Sequence, residues 1–462
     1  MRNIIRINDG WLFTLDGKTE TVNLPHTWNA FDGQDGTNGY LRTKATYSKE
    51  LPKSDKKTFL ECRGVNSKAE VRVNNELVAV HEGGYSAFRV DISDYIRYGC
   101  RVDITADNSP DESVYPTMAD FTFYGGIYRD VSLLVVNKNH IALGHFGDTG
   151  VKITPDLKEG SADIQVETLV EGEGTVVVEL LDAEGNSVAR GEGEKTSLHL
   201  EAPHLWNGVK DPYLYICIVR LMQDGKPVDE VTTKVGLRSF SVDAKKGFFL
   251  NGKPYPLHGV SRHQDRKGLG NAITREMHDE DMALIRELGA NTVRLAHYQH
   301  DQYFYDLCDK YGMVVWAEIP YISEHLPNGR ENTISQMKEL IHQNYNHPSI
   351  VCWGVSNEIT ISTKDKADML DNHRVLNELC HKMDPTRLTT LACYAMCGPF
   401  NPVAHITDLV SWNLYLGWYV PGLFLNDLWM GFFHLVYPNR PLGFSEYGAE
   451  GMPNLHSAHP RR

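Results

Sequence analysis

The hydrophobic pattern of this 462-residue chain changes character once, near residue 238, and that change restricts the fold more than any other feature. Before it, short β-branched and aromatic runs alternate with Asn, Gly and Asp turns. After it, strand-length apolar runs alternate with amphipathic helical stretches. The two patterns call for different layer architectures, so the chain is multidomain, β followed by α/β, and its length fits about three domains.

Up to residue 137, Thr58–Arg63, Ala69–Asn74, Phe88–Ile92 and Arg101–Thr105 read as short strands of a β-sandwich. From 138 to 237 a second set follows, including Ala162–Val170, Thr175–Leu181 and Leu214–Leu221, and its size of roughly 100 residues suits an immunoglobulin-like sandwich. From 238 to 462 the order strand, helix, strand predicts parallel β/α units. The strand candidates are Tyr255–Val260, Thr292–His297, Val314–Ile319, Ile350–Glu358, Leu388–Tyr394, Asp408–Tyr415 and Pro441–Tyr447. Helices are predicted over Thr274–Leu288, where Met282, Ile285 and Leu288 share a face, and over Asp301–Tyr311, Thr333–Asn344 and Lys364–Met383. Seven strands are one short of a closed β/α barrel, and Glu446 lies only 16 positions (462 − 446) before the last residue. The expectation is therefore a barrel lacking its last unit.

Barrel chemistry sits where strands end at the C-terminal face. Arg262 and His263 follow the first strand, Arg294 and His297 close the second, Asn357 and Glu358 the fourth, Asn413 and Tyr415 the sixth, and Glu446 and Tyr447 the seventh. Two carboxylates on one rim, Glu358 and Glu446, are what glycosidic cleavage needs: a protonated acid for the leaving oxygen and an ionised nucleophile for the anomeric carbon. Arg294 is positioned to keep the nucleophile ionised, and Tyr415 to donate to it. Asn357 is a partner for a sugar 2-hydroxyl, and Trp316, Trp353, Trp412 and Trp418 offer apolar faces, although each taken alone reads as core. Glu318 and Glu450 also fall near the rim and read as structural.

A formal net charge of −14, from 46 basic and 60 acidic residues, argues against nucleic acid or an anionic membrane surface and for a small carbohydrate substrate. No run approaches the roughly 18 apolar residues of a membrane span, and the N-terminal apolar stretch is too short for a signal peptide, so a cytoplasmic location is expected. The eight cysteines fall within apolar patterns and read as reduced thiols; Cys393 and Cys397, four apart, lack the second Cys/His pair of a zinc site.

Several segments resemble glycoside hydrolase family 2, the family of β-galactosidases, β-glucuronidases and β-mannosidases. Asp120-Phe-Thr-Phe-Tyr-Gly-Gly-Ile-Tyr-Arg-Asp-Val is similar to its jelly-roll signature. Asn291-Thr-Val-Arg-Leu-Ala-His-Tyr and Phe304-Tyr-Asp-Leu-Cys-Asp-Lys-Tyr-Gly-Met resemble its barrel signature. Val355-Ser-Asn-Glu resembles the acid/base motif and Phe444-Ser-Glu-Tyr-Gly-Ala-Glu the nucleophile motif. The resemblance implies a jelly-roll domain, an immunoglobulin-like domain and a TIM barrel. It implies Glu358 as acid/base and Glu446 as nucleophile, and it brings Asp120, His263 and His297 to the sugar.

The wording, with Ile359 after the acid/base glutamate where β-glucuronidases typically have proline, looks most like bacterial β-galactosidases. The expected function is thus a retaining exo-β-galactosidase, with a β-glucuronidase, or an inactive carbohydrate-binding or structural remnant, as alternatives. Trp316-Ala-Glu-Ile-Pro-Tyr replaces the Glu-x-His of the magnesium-binding members, so neither metal nor cofactor is expected. Family members continue through an eighth strand bearing a platform tryptophan and, in glucuronidases, an Asn-x-Lys that grips the carboxylate. They are commonly oligomers, which extends the expectation to a homo-oligomer.

Overall fold

The computed structural model describes residues 1–33, 39–144 and 146–449. The first region is an antiparallel sandwich of a four-stranded and a six-stranded sheet. Its strands keep the period-2 alternation that a half-buried sheet imposes: along Cys100–Asp107, Cys100, Val102, Ile104 and Ala106 face inward. They close on a core that includes Trp11, Tyr47, Leu60, Val71 and Ile127. The second region packs a three-stranded against a four-stranded antiparallel sheet around Ile164, Val166, Val178, Leu180, Cys217 and Val219. Both regions bury one face of each sheet, which explains why their strands read as alternating rather than continuously apolar.

The third region is a parallel sheet whose seven strands lie in chain order. They are β1 (Gly259–Arg262), β2 (Thr292–Leu295), β3 (Val314–Glu318), β4 (Ile350–Asn357), β5 (Leu388–Tyr394), β6 (Val410–Asn413) and β7 (Leu442–Glu446). All eight residues of β4 are buried, as expected of a strand covered on both faces. Helices α1 (Arg275–Glu287), α2 (Gln302–Tyr311), α3 (Arg330–Asn344), α4 (Lys366–Met383) and α5 (Leu425–Val436) follow strands on the outside. The Asp301 carboxylate caps α2 by accepting from the Tyr303 amide, and Asp365 caps α4 by accepting from Asp368. The sheet curls until β1 approaches β7, where Ser261 Oγ donates to the Ser445 carbonyl at 3.4 Å, so the barrel is nearly closed. Among the described residues, no helix is long and apolar enough to cross a membrane.

Element ends differ from the sequence expectation for identifiable reasons. The first barrel strand occupies 259–262 rather than 255–260. Pro254 and Pro256 have no N–H for a ladder, and Tyr255 bonds back to Phe248 beside a small antiparallel sheet. Strand β6 starts later than predicted because the Asp408 carboxylate turns to accept from the Thr389 amide. Helix α3 begins at Arg330, three residues earlier than predicted. Helix α5 is absent from the sequence expectation: Trp429 and Phe433 face inward while Leu428, Phe432 and Leu435 are exposed, so apolar residues on both faces erase the helical period.

Arg262, at the end of β1, is held behind the rim by Asp281 (2.7 Å) and by the Nδ1 atoms of His300 (3.0 Å) and His278 (3.1 Å). A guanidinium can only donate, so both rings must be neutral to accept. Burial lowers His278 to about 3 and holds His300 well below 6.5. It also lowers His373, whose Nε2 meets Ser356 Oγ, to about 4. Below pH 6.5 the unfolded chain protonates these histidines and the folded chain does not. Stability is thus complete above pH 6.5 and lost as pH falls toward the folded values, by about 1.4 kcal/mol per pH unit for each histidine. Calorimetry should show a melting temperature that falls steadily between pH 6.5 and about 4; a flat profile would contradict neutral burial.

Candidate active site

The C-terminal ends of β2, β3, β4, β6 and β7 bring their polar residues around one guanidinium. Arg294, 5 % exposed, donates from Nη1 to Glu446 Oε1 (2.7 Å), from Nε and Nη2 to Glu318 (3.0 and 2.9 Å) and from Nη2 to Asn357 Oδ1 (2.8 Å). Its plane lies over the Trp316 ring, 4.9 Å from the centroid. His297 Nδ1 is 2.9 Å from Glu318 Oε1, and its Nε2 is 3.8 Å from Glu446 Oε1. Tyr415 donates to the other Glu446 oxygen at 2.6 Å. Burial alone would raise the Glu446 pKa, but Arg294, His297 and the Tyr415 hydrogen bond outweigh it and hold the carboxyl below 4.5.

Glu358 is set differently. It follows β4 with φ of +48°, the left-handed region that a residue with a side chain occupies only under constraint. Its amide donates to the Ala392 carbonyl at 2.8 Å, which fixes this turn of the backbone against β5. Its carboxylate accepts from Asn413 Nδ2 (3.0 Å), and Asn413 Oδ1 is in turn held by Ser445 Oγ (2.6 Å). Among the described residues no cation bonds the Glu358 carboxylate. Burial raises its pKa above 4.5, the Asn413 bond opposes this, and the charge of Glu446 adds to the rise. One neutral donor and one ionised acceptor can therefore coexist on the same rim, which is the division of labour required for acid-assisted displacement at an acetal carbon.

The remaining residues singled out from sequence fall at varied distances from this centre. His263 is half-buried, with Nδ1 3.4 Å from the Tyr298 hydroxyl, and burial with neighbouring positive charge lowers it to about 3. Asp120 is exposed on a sandwich loop and raises the Glu358 pKa electrostatically. The next residue, Phe121, inserts at the barrel mouth, stacked on His297 (5.8 Å) and tilted against His263 (5.2 Å). Arg262 belongs to the network behind β1, and Tyr447 is exposed beyond β7. Trp353 and Trp412 are fully buried core residues, Trp418 is 5 % exposed, and Trp316 supports Arg294. Glu450 lies outside the described residues.

Two residues of the site are not predicted by the sequence. Glu318 reads there as structural, yet it sits at the centre; the strand-end rule that selects the other residues applies to it equally. Phe121 carries no signal of its own, being an aromatic among aromatics. Among the described residues, Asp306, Asp309 and His347 come close enough to share an ion, at the opposite end of the barrel. There His347 Nδ1 already meets Asp309 Oδ2 (2.6 Å), and Asp309 Oδ1 accepts from the Ser349 amide (3.1 Å).

Comparison with known proteins gives three matches in chain order: residues 21–137 to "Glycosyl hydrolases family 2, sugar binding domain", 145–238 to "Glycosyl hydrolases family 2", and 241–460 to "Glycosyl hydrolases family 2, TIM barrel domain". A β-glucuronidase of Bacteroides fragilis is 39% identical over 97% of this chain and 68% of its own length. A β-galactosidase of Thermoanaerobacter pseudethanolicus is 30% identical over 83% of this chain and 53% of its own. The crystal structure of an FMN-binding β-glucuronidase from Facaelibacterium prausnitzii L2-6 superposes with a TM-score of 0.96 at 42% identity, covering 99% of this chain and 74% of that one. The chain thus spans from 53% to 74% of the length of these relatives. They favour the alternative, a β-glucuronidase, over the expected β-galactosidase; the isoleucine at 359 is too small a cue to choose the sugar.

Removing Glu318 would leave Arg294 buried with one carboxylate fewer. Glu318→Ala is expected to cost about 3–5 kcal/mol in urea unfolding, and a loss below about 1 kcal/mol would show that the pair is not needed for folding.

Proposed function

Because this chain belongs to glycoside hydrolase family 2, we propose that it is a retaining exo-β-glycosidase that removes terminal β-glucuronic acid residues, with Glu446 as nucleophile and Glu358 as acid/base. The observation that carries the chemistry is the opposite shift of the two carboxyl groups, Glu446 downward beside Arg294 and Glu358 upward by burial, with its carboxylate bonded to the neutral Asn413 amide. The sugar assignment rests on the two β-glucuronidases named above, at 39% and 42% identity, against 30% for the β-galactosidase.

In the first half-reaction an ionised Glu446 oxygen attacks the anomeric carbon while Glu358 gives its proton to the departing glycosidic oxygen. As the Glu446 oxygen becomes an ester oxygen its negative charge disappears, and Arg294 and Tyr415 hold the carboxyl group in line. Glu358, now ionised, accepts a proton from water in the second half-reaction. That water attacks the same carbon from the opposite face, restoring the β configuration and freeing Glu446. Asn357, fixed by Arg294 and Asn413, is placed for the 2-hydroxyl. His263, His297, Asp120 and Phe121 form the sandwich-side wall of the sugar site.

The eight free cysteines suit a reducing compartment, in keeping with the cytoplasm. Assembly into a homo-oligomer belongs to the same reading and is measurable by light scattering.

Activity requires Glu446 ionised and Glu358 protonated. The kcat/KM profile on a nitrophenyl β-glycoside should therefore fall on the acid side below 4.5 and on the alkaline side above it. Glu358→Gln should abolish the alkaline limb together with most turnover of substrates with poor leaving groups. Glu446→Gln should lower kcat by roughly 10³-fold or more, and normal turnover in that variant would sink the assignment. Across a panel of nitrophenyl glycosides the β-glucuronide should give the highest kcat/KM, with the β-anomer the first product seen by NMR. A preference for the β-galactoside would reverse the sugar assignment while leaving the mechanism in place.

A further inference from the structure

The pairing of β6 with β7 skips one residue. Val410, Ser411 and Trp412 stand opposite Leu442, Gly443 and Phe444, but Asn413 stands opposite Glu446, so Ser445 is the extra residue of a bulge. Trp412 points outward onto Trp429 and Phe433 of α5, which leaves Asn413 inward. Without the bulge, Ser445 would take the place opposite Asn413 and Glu446 would turn to the helix side. Ser445 is tied on both flanks: its carbonyl accepts from Ser261 Oγ of β1 (3.4 Å), and its Oγ donates to Asn413 Oδ1 (2.6 Å).

The direction of each hydrogen bond along this row of side chains follows from Arg294. A guanidinium only donates, so Asn357 Oδ1, 2.8 Å from Arg294 Nη2, is an acceptor. The Asn413 atom 3.3 Å from the same oxygen must then be the amide nitrogen, and that nitrogen also donates to Glu358 Oε1 at 3.0 Å. Asn413 Oδ1 is left facing Ser445, whose hydroxyl proton is committed to it. A reversed amide would set its oxygen against Asn357 Oδ1 and give up the Ser445 bond.

We propose, resting on the acid/base role of Glu358, that Ser445 is a positioning residue: it locks the Asn413 amide with its NH2 toward Glu358 and so places the acid proton on Glu358 Oε2. Oε1 faces a donor and has no room for a proton of its own. In the first half-reaction the Oε2 proton passes to the glycosidic oxygen as that oxygen takes the electron pair of the breaking bond to carbon, and Glu446 forms the new bond. The charge left on Glu358 is met by Asn413 Nδ2 with no movement of the amide. With the Ser445 hydroxyl removed, the amide can reverse whenever Glu358 is neutral, and its oxygen then draws the acid proton away from the leaving group.

Glu446 of β7, His297 after β2, Asp120 of the sandwich and Tyr415 after β6 also bear on the charge of Glu358. Among the described residues, the hydrogen bonds of the Asn413 amide go to Asn357, Glu358 and Ser445 and to none of these four. A change at Ser445 therefore reaches Glu358 through the amide.

The test labels the full chain with 15N-asparagine and 13C-carboxyl glutamate, and identifies the Glu358 signal by its loss in Glu358→Gln. In the unaltered chain, one Asn413 amide proton should move downfield as Glu358 ionises; if neither proton responds, the amide faces the other way and the proposal falls. In Ser445→Ala the Glu358 carboxyl should titrate about 1 pH unit higher, and Ser445→Thr, which keeps the hydroxyl, should return it. An unshifted titration in folded Ser445→Ala overturns the role. Should that variant not fold, the amide protons of the unaltered chain decide alone. Ser445→Ala should also lower kcat/KM roughly tenfold on an alkyl β-glucuronide, whose leaving group needs the acid, and little on the nitrophenyl one. An equal loss on both would show a merely structural part. Absence of turnover in the unaltered chain counts against the glycosidase reading alone, because the amide and carboxyl signals are read without substrate.

Discussion

A guanidinium buried to 5 % exposure cannot be left uncompensated, and the whole rim of this barrel is arranged around that requirement. Arg294 needs planar, two-pronged acceptors, and Glu318 supplies one from the adjacent strand, using both oxygens. Because Glu318 already balances the cation, Glu446 is a second carboxylate on a charge that has been neutralised once. It is ionised by the shared Arg294 without being locked in a closed, two-pronged pair, since only one of its oxygens meets the guanidinium and the other meets Tyr415. A lysine in place of Arg294 could not reach Glu318, Glu446 and Asn357 together, having a single point of charge rather than a rigid fork.

The same cluster decides what Glu358 is. Asn357 accepts from the Arg294 Nη2 that also meets Glu318 and leaves the following residue to turn away, with positive φ, toward Asn413. Consecutive residues of a strand would otherwise point to opposite faces. The backbone reversal at Glu358 is what lets both Asn357 and Glu358 serve one site. Local strain of this kind persists where surrounding hydrogen bonds over-determine it, and here the Ala392 carbonyl and the Asn413 amide do so.

Much of this is legible in the sequence because barrel strands write their own punctuation: an apolar run buried on both sides, then a polar residue where the strand leaves the core. Arg294, Asn357, Glu358, Asn413 and Glu446 all stand at that position. Glu318 obeys the same rule and still reads as structural, since a carboxylate whose role is to hold an arginine looks, in one dimension, like any other at a strand end. The first strand is misplaced near its prolines because hydrophobicity says nothing about missing N–H groups. The identity of the sugar is not legible, since Ile359 beside Glu358 does not define what the rim presents to C4 or C6 of a sugar ring. Helix α5 is hidden by its own composition.

Phe121 belongs to the sandwich, yet its ring meets His263 and His297 of the barrel, and it precedes His263 by 142 positions (263 − 121). The two regions are also joined by Arg129, which donates to the Gln299 carbonyl (2.7 Å), and by the Tyr115 hydroxyl, which donates to the Glu324 carbonyl (3.0 Å). During synthesis the sandwich emerges first and can close on its own core, but its contribution to the rim cluster has no partner until the barrel has been translated and has docked against it. The site is thus the last thing this chain completes, and a ribosome-bound intermediate with a finished sandwich would carry a wall without a pocket.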